Sequence, residues 1–368
     1  MGGSPRLKVL VPHGIGFEKM DTSGTVEAVY YEPGDPWPPG HLDATVVVVG
    51  YENAAAVGAR LAELPDLRLI QTLNAGYEQW LPLLPDGVLL SNGRGAHGGS
   101  SAEWVVAALL AIYRDLRLFN EQQSEGIWRE KDTETLIGKR VVVLGAGDLA
   151  ANLASRLAPF ETDVTLVGRR PRPGVHELAD IDALLPAADV VVAMLPGNES
   201  THHVIDAKFL AKLRDGTVVV NAGRGGSVDT DALLAELTSG RLRAALDVTD
   251  PEPLPVGHPL WSAPGLLLTP HVAGSTAGAW ERAWAVAMHQ IEVFASGGQR
   301  PEPGSRSQRA DATACKPIIR GSAGRVAIGY VRSTPPRTTI TTPSAATIHG
   351  QPLAGRNITI SPPSGAVR

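Results

Sequence analysis

The chain has 368 residues, 43% hydrophobic and 19% charged, with a formal net charge of −5; that length exceeds one ordinary core, so two domains are expected. The charge is uneven: from Pro301 onward nine Lys or Arg face only Glu302 and Asp311, a local +7 that leaves −12 for the first 300 residues. An acidic body argues against a nucleic-acid partner, which calls for a basic stripe, and leaves any anionic ligand to be held by local groups. A single cysteine, Cys315, builds neither a disulfide framework nor a thiolate metal site, which fits a reducing compartment. Residues Met1 to Leu10 lack the apolar core of a signal peptide, and no run reaches the ~20 apolar residues of a membrane span. The expectation is a cytoplasmic protein with no membrane attachment.

Taken in chain order, apolar runs at Leu7–Val11, Val26–Tyr30, Thr45–Val49, Leu67–Thr72 and Val88–Leu90 read as strands, with a helix-like Ala54–Leu64 among them. Strand and helix signals in alternation predict a parallel α/β sheet. Ser100-Ser101-Ala102-Glu103 has the form of a capping box and predicts a long helix running to about Gln123. A second series follows: strands at Arg140–Leu144, Asp163–Val167, Asp189–Ala193, Thr217–Asn221, Ala244–Val248 and Leu266–Thr269. Six strands is the count of a full dinucleotide-binding fold. A last helix spans Ala277–Ala295. Residues 301–368 are rich in Pro, Ser, Thr, Gly and Arg and read as a disordered, non-catalytic tail.

Five segments carry chemistry. Gly145-Ala146-Gly147-Asp148-Leu149-Ala150 follows an apolar strand and opens a helix. Gly145 suits a tight turn, Gly147 lets a pyrophosphate approach the backbone, and the small Ala150 permits helix–strand packing. Asp148 has no favourable electrostatic reading beside a diphosphate. At the end of the next strand, Gly168-Arg169-Arg170 stands where an NAD-type acid would be. Two guanidinium groups there chelate a 2′-phosphate, so NADP is favoured, with NAD as the other possibility.

Arg224 leaves a buried-looking strand between Gly223 and Gly225, Glu252 lies between Pro251 and Pro253, and His271 follows Pro270. Each alone is as readily structural. Together, at the ends of successive strands, they supply a cation for a carboxylate, an imidazole for proton transfer and an acid to orient the ring. His202 and His203 open a helix-like segment, His97 and His258 lie in glycine- or proline-rich loops, and none has a chemical partner nearby in sequence, so all four are read as structural. No His/Cys metal-ligand spacing is present, so no metal is expected.

On these motifs, from about Leu7 to Gly298, the chain resembles the D-isomer-specific 2-hydroxyacid dehydrogenase family. They are the Gly145–Ala150 turn, Asp215 through Asp229, Ala245 through Pro255, and Thr269-Pro270-His271 with the following Val-Ala-Gly. Asp247 through Pro255, continuing to Leu260, is closest to glyoxylate/hydroxypyruvate reductases.

The resemblance implies a Rossmann-type dinucleotide-binding domain, residues 98–280, inserted into a flavodoxin-like substrate domain formed by 1–97 and 281–300. It implies hydride transfer between NADPH (or NADH) and a small 2-keto acid such as glyoxylate or hydroxypyruvate, giving the D-2-hydroxy acid. Arg224, Glu252 and His271 are then catalytic. Ala75 and Gly76 bind the substrate carboxylate with Arg224, Asp247 contacts the nicotinamide carboxamide, and the assembly is a homodimer. Tyr77 and Trp80 are open between pocket and core. The family also holds corepressor-type nucleotide binders and phosphite- or formate-oxidising members; formate dehydrogenases carry Gln where Glu252 stands.

Overall fold

A computed structural model describes residues 6–12, 14–20, 26–50, 54–297, 319–320 and 326–327. Two wholly parallel sheets carry the fold. The first contains β1 (Leu7–Val11), β2 (Val26–Tyr30), β3 (Val46–Val49), β4 (Leu69–Thr72) and β5 (Leu89–Ser91), with α1 (Gly14–Met20) after β1 and α2 (Ala54–Gly58) after β3. Their order is β2-β1-β3-β4-β5, the flavodoxin-like arrangement. Every residue of β3 and β4 is buried; β3 accordingly reads as an unbroken apolar run, while β4 ends in the buried polar pair Gln71 and Thr72.

After α3 (Gly98–Tyr113) and α4 (Leu116–Ser124) comes the second sheet. Its elements are β6 (Arg140–Leu144), α5 (Asp148–Leu157), β7 (Asp163–Gly168), β8 (Val175–Glu177), α6 (Ile181–Leu184), β9 (Val190–Ala193), α7 (Ala207–Leu210), β10 (Val218–Asn221), α8 (Thr230–Thr238), β11 (Arg243–Leu246) and β12 (Leu266–Leu268). The order β12-β11-β10-β9-β6-β7-β8 places the topological switch point between β6 and β9. This is the dinucleotide-binding order with one further strand, and ligands of such sheets bind beyond the carboxyl ends at that point.

The last helix, α9 (Ala279–Ala295), returns to the first sheet. Its Ala283, Trp284, Ala287 and Ile291 are buried with Val9, Val11, Val46, Val48 and Leu69. Trp284 is fully buried, and truncating such a side chain to Ala costs about 3–5 kcal/mol.

Several expectations need correction. The second sheet has seven strands, not six: β8 is three residues long and carries His176 and Glu177, so no apolar run announces it. The capping box at Ser100 does not form. The helix begins earlier, at Gly98, and Ser100 Oγ donates to the His97 carbonyl at 3.1 Å. The long helix is broken at Asp115, whose φ of 49° separates α3 from α4. Ala54–Leu64 is a five-residue α2 followed by a separate 3-10 turn at Leu61–Glu63. His202 and His203 lie in a turn rather than opening a helix.

The tail reading falls outside the described residues, apart from β13 (Ile319–Arg320) and β14 (Val326–Ala327), an antiparallel pair. Cys315 also lies outside them. Among the described residues no helix is long and apolar enough to cross a membrane.

Candidate active site

The strand ends of both sheets deliver the chemistry. At the end of β10, buried Asn221 clamps its own loop: its Oδ1 accepts from the Gly223 amide at 3.1 Å, and its Nδ2 donates to the Arg224 carbonyl at 2.8 Å. Arg224 Nη1 in turn donates to the Gly223 carbonyl at 2.8 Å. The guanidinium is thereby aimed at the loop after β4. There Gly76 has no room for a side chain, because a Cβ would fall on Arg224 Nη2. Asn92 Nδ2 donates to the Ala75 carbonyl at 2.8 Å and fixes that loop. Arg224 and Gly76, which the resemblance puts in one substrate site, thus lie against each other, with Ala75 next to Gly76 in the same loop.

Glu78, absent from the sequence reading, joins them. Its Oε2 lies 3.3 Å from Arg224 Nη2, and its Oε1 accepts from the Gly197 amide at 3.0 Å. Burial raises the Glu78 carboxyl, but the charge of Arg224 and hydrogen bonds from the Glu78, Gly197 and Tyr77 amides outweigh it, leaving the group below the usual carboxylate range. Trp80 is fully buried in the first sheet's core, which assigns it to packing; Tyr77 is partly buried against that core.

Beyond β11 and β12, His271 Nδ1 lies 2.5 Å from Glu252 Oε1, with the two side chains 50% and 40% exposed. The ring nitrogen on the far side, Nε2, is thereby left for a reacting group. His271 has φ of 54°, a backbone state that needs outside support in an L residue. Asp247 supplies it. The Asp247 carbonyl accepts from the His271 amide at 2.7 Å; its carboxylate accepts from Thr269 Oγ1 and the amides of Val272 and Ala273, at 2.7–2.9 Å.

The dinucleotide turn sits at the switch point. Gly145 has φ of 120°, and a Cβ there would press against the Met194 carbonyl oxygen. Gly147 caps α5 without a side-chain hydrogen bond, so the helix start presents backbone amides suited to an anion. Ala150 is buried beneath it. Leu149 packs partly buried against the core between α3 and the sheet.

Asp148 opens α5, held by Asn152 Nδ2 at 3.1 Å from its Oδ1, while its buried Oδ2 lacks a hydrogen-bond partner. Burial pushes this carboxyl above the usual value, partly countered by the charges of Arg94 and Arg156. Arg94 answers the electrostatic objection to an acid here: its guanidinium faces Asp148 and approaches the turn, 3.9 Å from where a Gly147 Cβ would stand. Its signal was legible, since Gly93-Arg94-Gly95 after β5 repeats the Gly-Arg-Gly pattern of 223–225. Arg169 and Arg170 are exposed just past β7. A third arginine, Arg172, donates from Nη2 to the Ala146 carbonyl at 2.5 Å. A small-residue cradle, an uncapped helix start and the Arg94 cation together fit a dinucleotide diphosphate.

Comparison with known proteins agrees with this geometry. Residues 106–273 match the model of the D-isomer specific 2-hydroxyacid dehydrogenase, NAD binding domain. A glyoxylate/hydroxypyruvate reductase B from Citrobacter koseri is 34% identical over 232 residues, 59% of this chain and 72% of the relative. The crystal structure of a D-isomer specific 2-hydroxyacid dehydrogenase from Xanthobacter autotrophicus, in complex with NADPH and MES, superposes with a TM-score of 0.70. That pair is 30% identical and covers 81% of this chain and 97% of the other. An NADPH-dependent glyoxylate/hydroxypyruvate reductase from Sinorhizobium meliloti, in complex with NADP and sulfate, is 28% identical, with a TM-score of 0.68 and coverage of 80% and 96%.

Proposed function

The chain belongs to the D-isomer specific 2-hydroxyacid dehydrogenase family, and from that premise we propose that it reduces glyoxylate or hydroxypyruvate to the 2-hydroxy acid with NADPH, NADH serving less well. Gly145–Ala150 would hold the dinucleotide, Arg169 and Arg170 would meet its 2′-phosphate, and Asp247 would face the nicotinamide carboxamide. When bound, the dinucleotide supplies the hydride that reaches the keto carbon.

The protein's own residues do the rest. The amides of Ala75 and Gly76 and the Arg224 guanidinium hold the substrate carboxylate in two-point fashion. Arg224 also faces the keto oxygen, where negative charge grows as the carbon is reduced; a preset cation stabilises that charge once closure of the cleft excludes water. His271 gives the Nε2 proton to this oxygen, and Glu252 orients the ring through Nδ1. We place the substrate domain at 1–97 and 281–300 and the dinucleotide domain at 98–280, with the reaction in the cleft between them.

The 2.5 Å contact between Glu252 and His271 carries the reading, because it joins residues from two separate loops into an acid–imidazole pair beyond the strand ends. A matrix of glyoxylate, hydroxypyruvate, pyruvate and bulkier keto acids against both reduced dinucleotides tests it. Turnover is expected with the small acids and NADPH. Dinucleotide binding without turnover of any keto acid would overturn it in favour of a regulatory nucleotide binder.

We further propose a cytoplasmic homodimer. The segment 116–137 leaves Leu116, Ile127, Trp128 and Ile137 in solvent, an arrangement that a second copy would cover.

A further inference from the structure

One side-chain cluster has no part in the reduction. The loop after β9 carries His202 and His203, and the loop after β11 carries Asp250; one ligand atom from each lies within 4.8 Å of the others. Consecutive side chains in regular structure diverge. Here His203 takes φ of 48°, and the two rings stack with centroids 3.9 Å apart at 29°. Such a backbone state persists in an L residue only where the surroundings hold it. They do: the His203 amide donates to the Gly226 carbonyl at 2.8 Å. Gly226 also clears the ground between the partners, since a Cβ there would lie 3.3 Å from Asp250 Oδ2 and 3.7 Å from His202 Cδ2. Thr230 Oγ1 pins the Asp250 carbonyl at 2.7 Å.

The backbone is therefore anchored on both sides while all three side chains stand in solvent. Two imidazoles and one carboxylate form a mixed nitrogen–oxygen donor set. Zinc-class ions favour it, whereas calcium and magnesium favour oxygen alone. A tetrahedral ion with bonds of about 2.1 Å needs ligand atoms roughly 3.4 Å apart, within rotamer reach of exposed side chains already this close.

We propose that His202, His203 and Asp250 form a binding site for a divalent transition-metal ion of the zinc class, open to solvent at its fourth position. The site does not depend on the reductase reading. Because Asp250 lies two residues before Glu252, a bound ion ties the Glu252 loop to the loop after β9.

Zinc titration of the full chain by calorimetry tests this, comparing wild type with His202→Ala, His203→Asn, Asp250→Asn and the double variant His202→Ala/His203→Asn. Asn tolerates the left-handed backbone, and melting temperatures verify that each variant folds. Each single change should weaken one zinc site by roughly tenfold or more, the scale seen on disturbing even outer-shell partners. The double variant should lose the site, and His271→Gln should keep it. Cobalt in place of zinc should give a visible spectrum without a thiolate charge-transfer band, which separates this site from Cys315. Absence of zinc binding by wild type, or unchanged binding in the double variant, would overturn the proposal.

Discussion

The carboxylate of Glu78, carried by the loop after β4, lies 3.3 Å from the guanidinium of Arg224 at the end of β10. A carboxylate thus already sits on the face of Arg224 that would take the carboxylate of a 2-keto acid. The cation comes with a built-in competitor.

Replacing Glu78 with Gln should therefore lower KM for glyoxylate by about fivefold at unchanged kcat, since a partly exposed pair is worth up to about 1 kcal/mol. A raised KM would show instead that Glu78 positions Arg224. The same change should alter acid stability. The folded carboxyl titrates below its ordinary value of 4.5, so its contribution is present above that value and lost as pH falls through the folded one. Melting curves should show a shallower acid-side loss for Glu78→Gln than for wild type.

Asp148 predicts the opposite sign. Its carboxyl is pushed above its ordinary value of 3.8, first by burial. The folded state therefore holds the proton more tightly, and stability falls as pH rises from that ordinary value through the raised one. Asp148→Asn should remove this loss and raise the melting temperature at neutral pH, with little gain in acid. It should also tighten NADPH, because the Asp148 charge then no longer competes with the diphosphate for Arg94. Weaker NADPH binding in a folded Asp148→Asn would mean that the acid itself orders the turn.

Cofactor choice turns on Arg169 and Arg170. Charge-assisted hydrogen bonds to a 2′-phosphate are worth about 1.5–3 kcal/mol each, and at an exposed loop the low end applies. The expected preference in kcat/KM is about tenfold or more for NADPH, and Arg169→Ala with Arg170→Ala should erase most of it while sparing NADH. Equal use of both cofactors by wild type would contradict this. Gly168→Asp, inviting on paper as a switch to NADH, would place a Cβ 3.0 Å from Val175 Cγ1 and 3.3 Å from Ala146 Cβ, so it should harm both cofactors.

The dimer reading rests on a small number of exposed apolar side chains. Trp128 is 95% exposed in the single chain; if a second copy covers it, Trp128→Glu should shift light-scattering mass from dimer to monomer. A monomeric wild type, or a dimer untouched by the change, would refute that placement.

Much of this architecture is legible in the sequence because parallel strands buried on both faces leave uninterrupted valine runs, as at Val141–Leu144 and Val218–Val220. Arg224, Glu252 and His271 stand out because each lies in the loop that leaves an apolar strand, after β10, β11 and β12 in turn. What escaped is tertiary. The α3–α4 break depends on one left-handed residue, Asp115, inside a pattern that stays helical on either side. Glu78 acquires its place only when the loop after β4 meets the end of β10. Asp148 is intelligible only once Arg94, fifty-odd positions earlier in the chain, is brought over the same turn.

The central claim is that His271 delivers the proton in a keto-acid reduction. NADPH oxidation by wild type and His271→Gln, at saturating hydroxypyruvate, tests it most directly. Turnover should fall by about two to four orders of magnitude, the share of a lost general acid, while NADPH affinity measured by fluorescence stays within error. Near-normal turnover in His271→Gln would contradict the account.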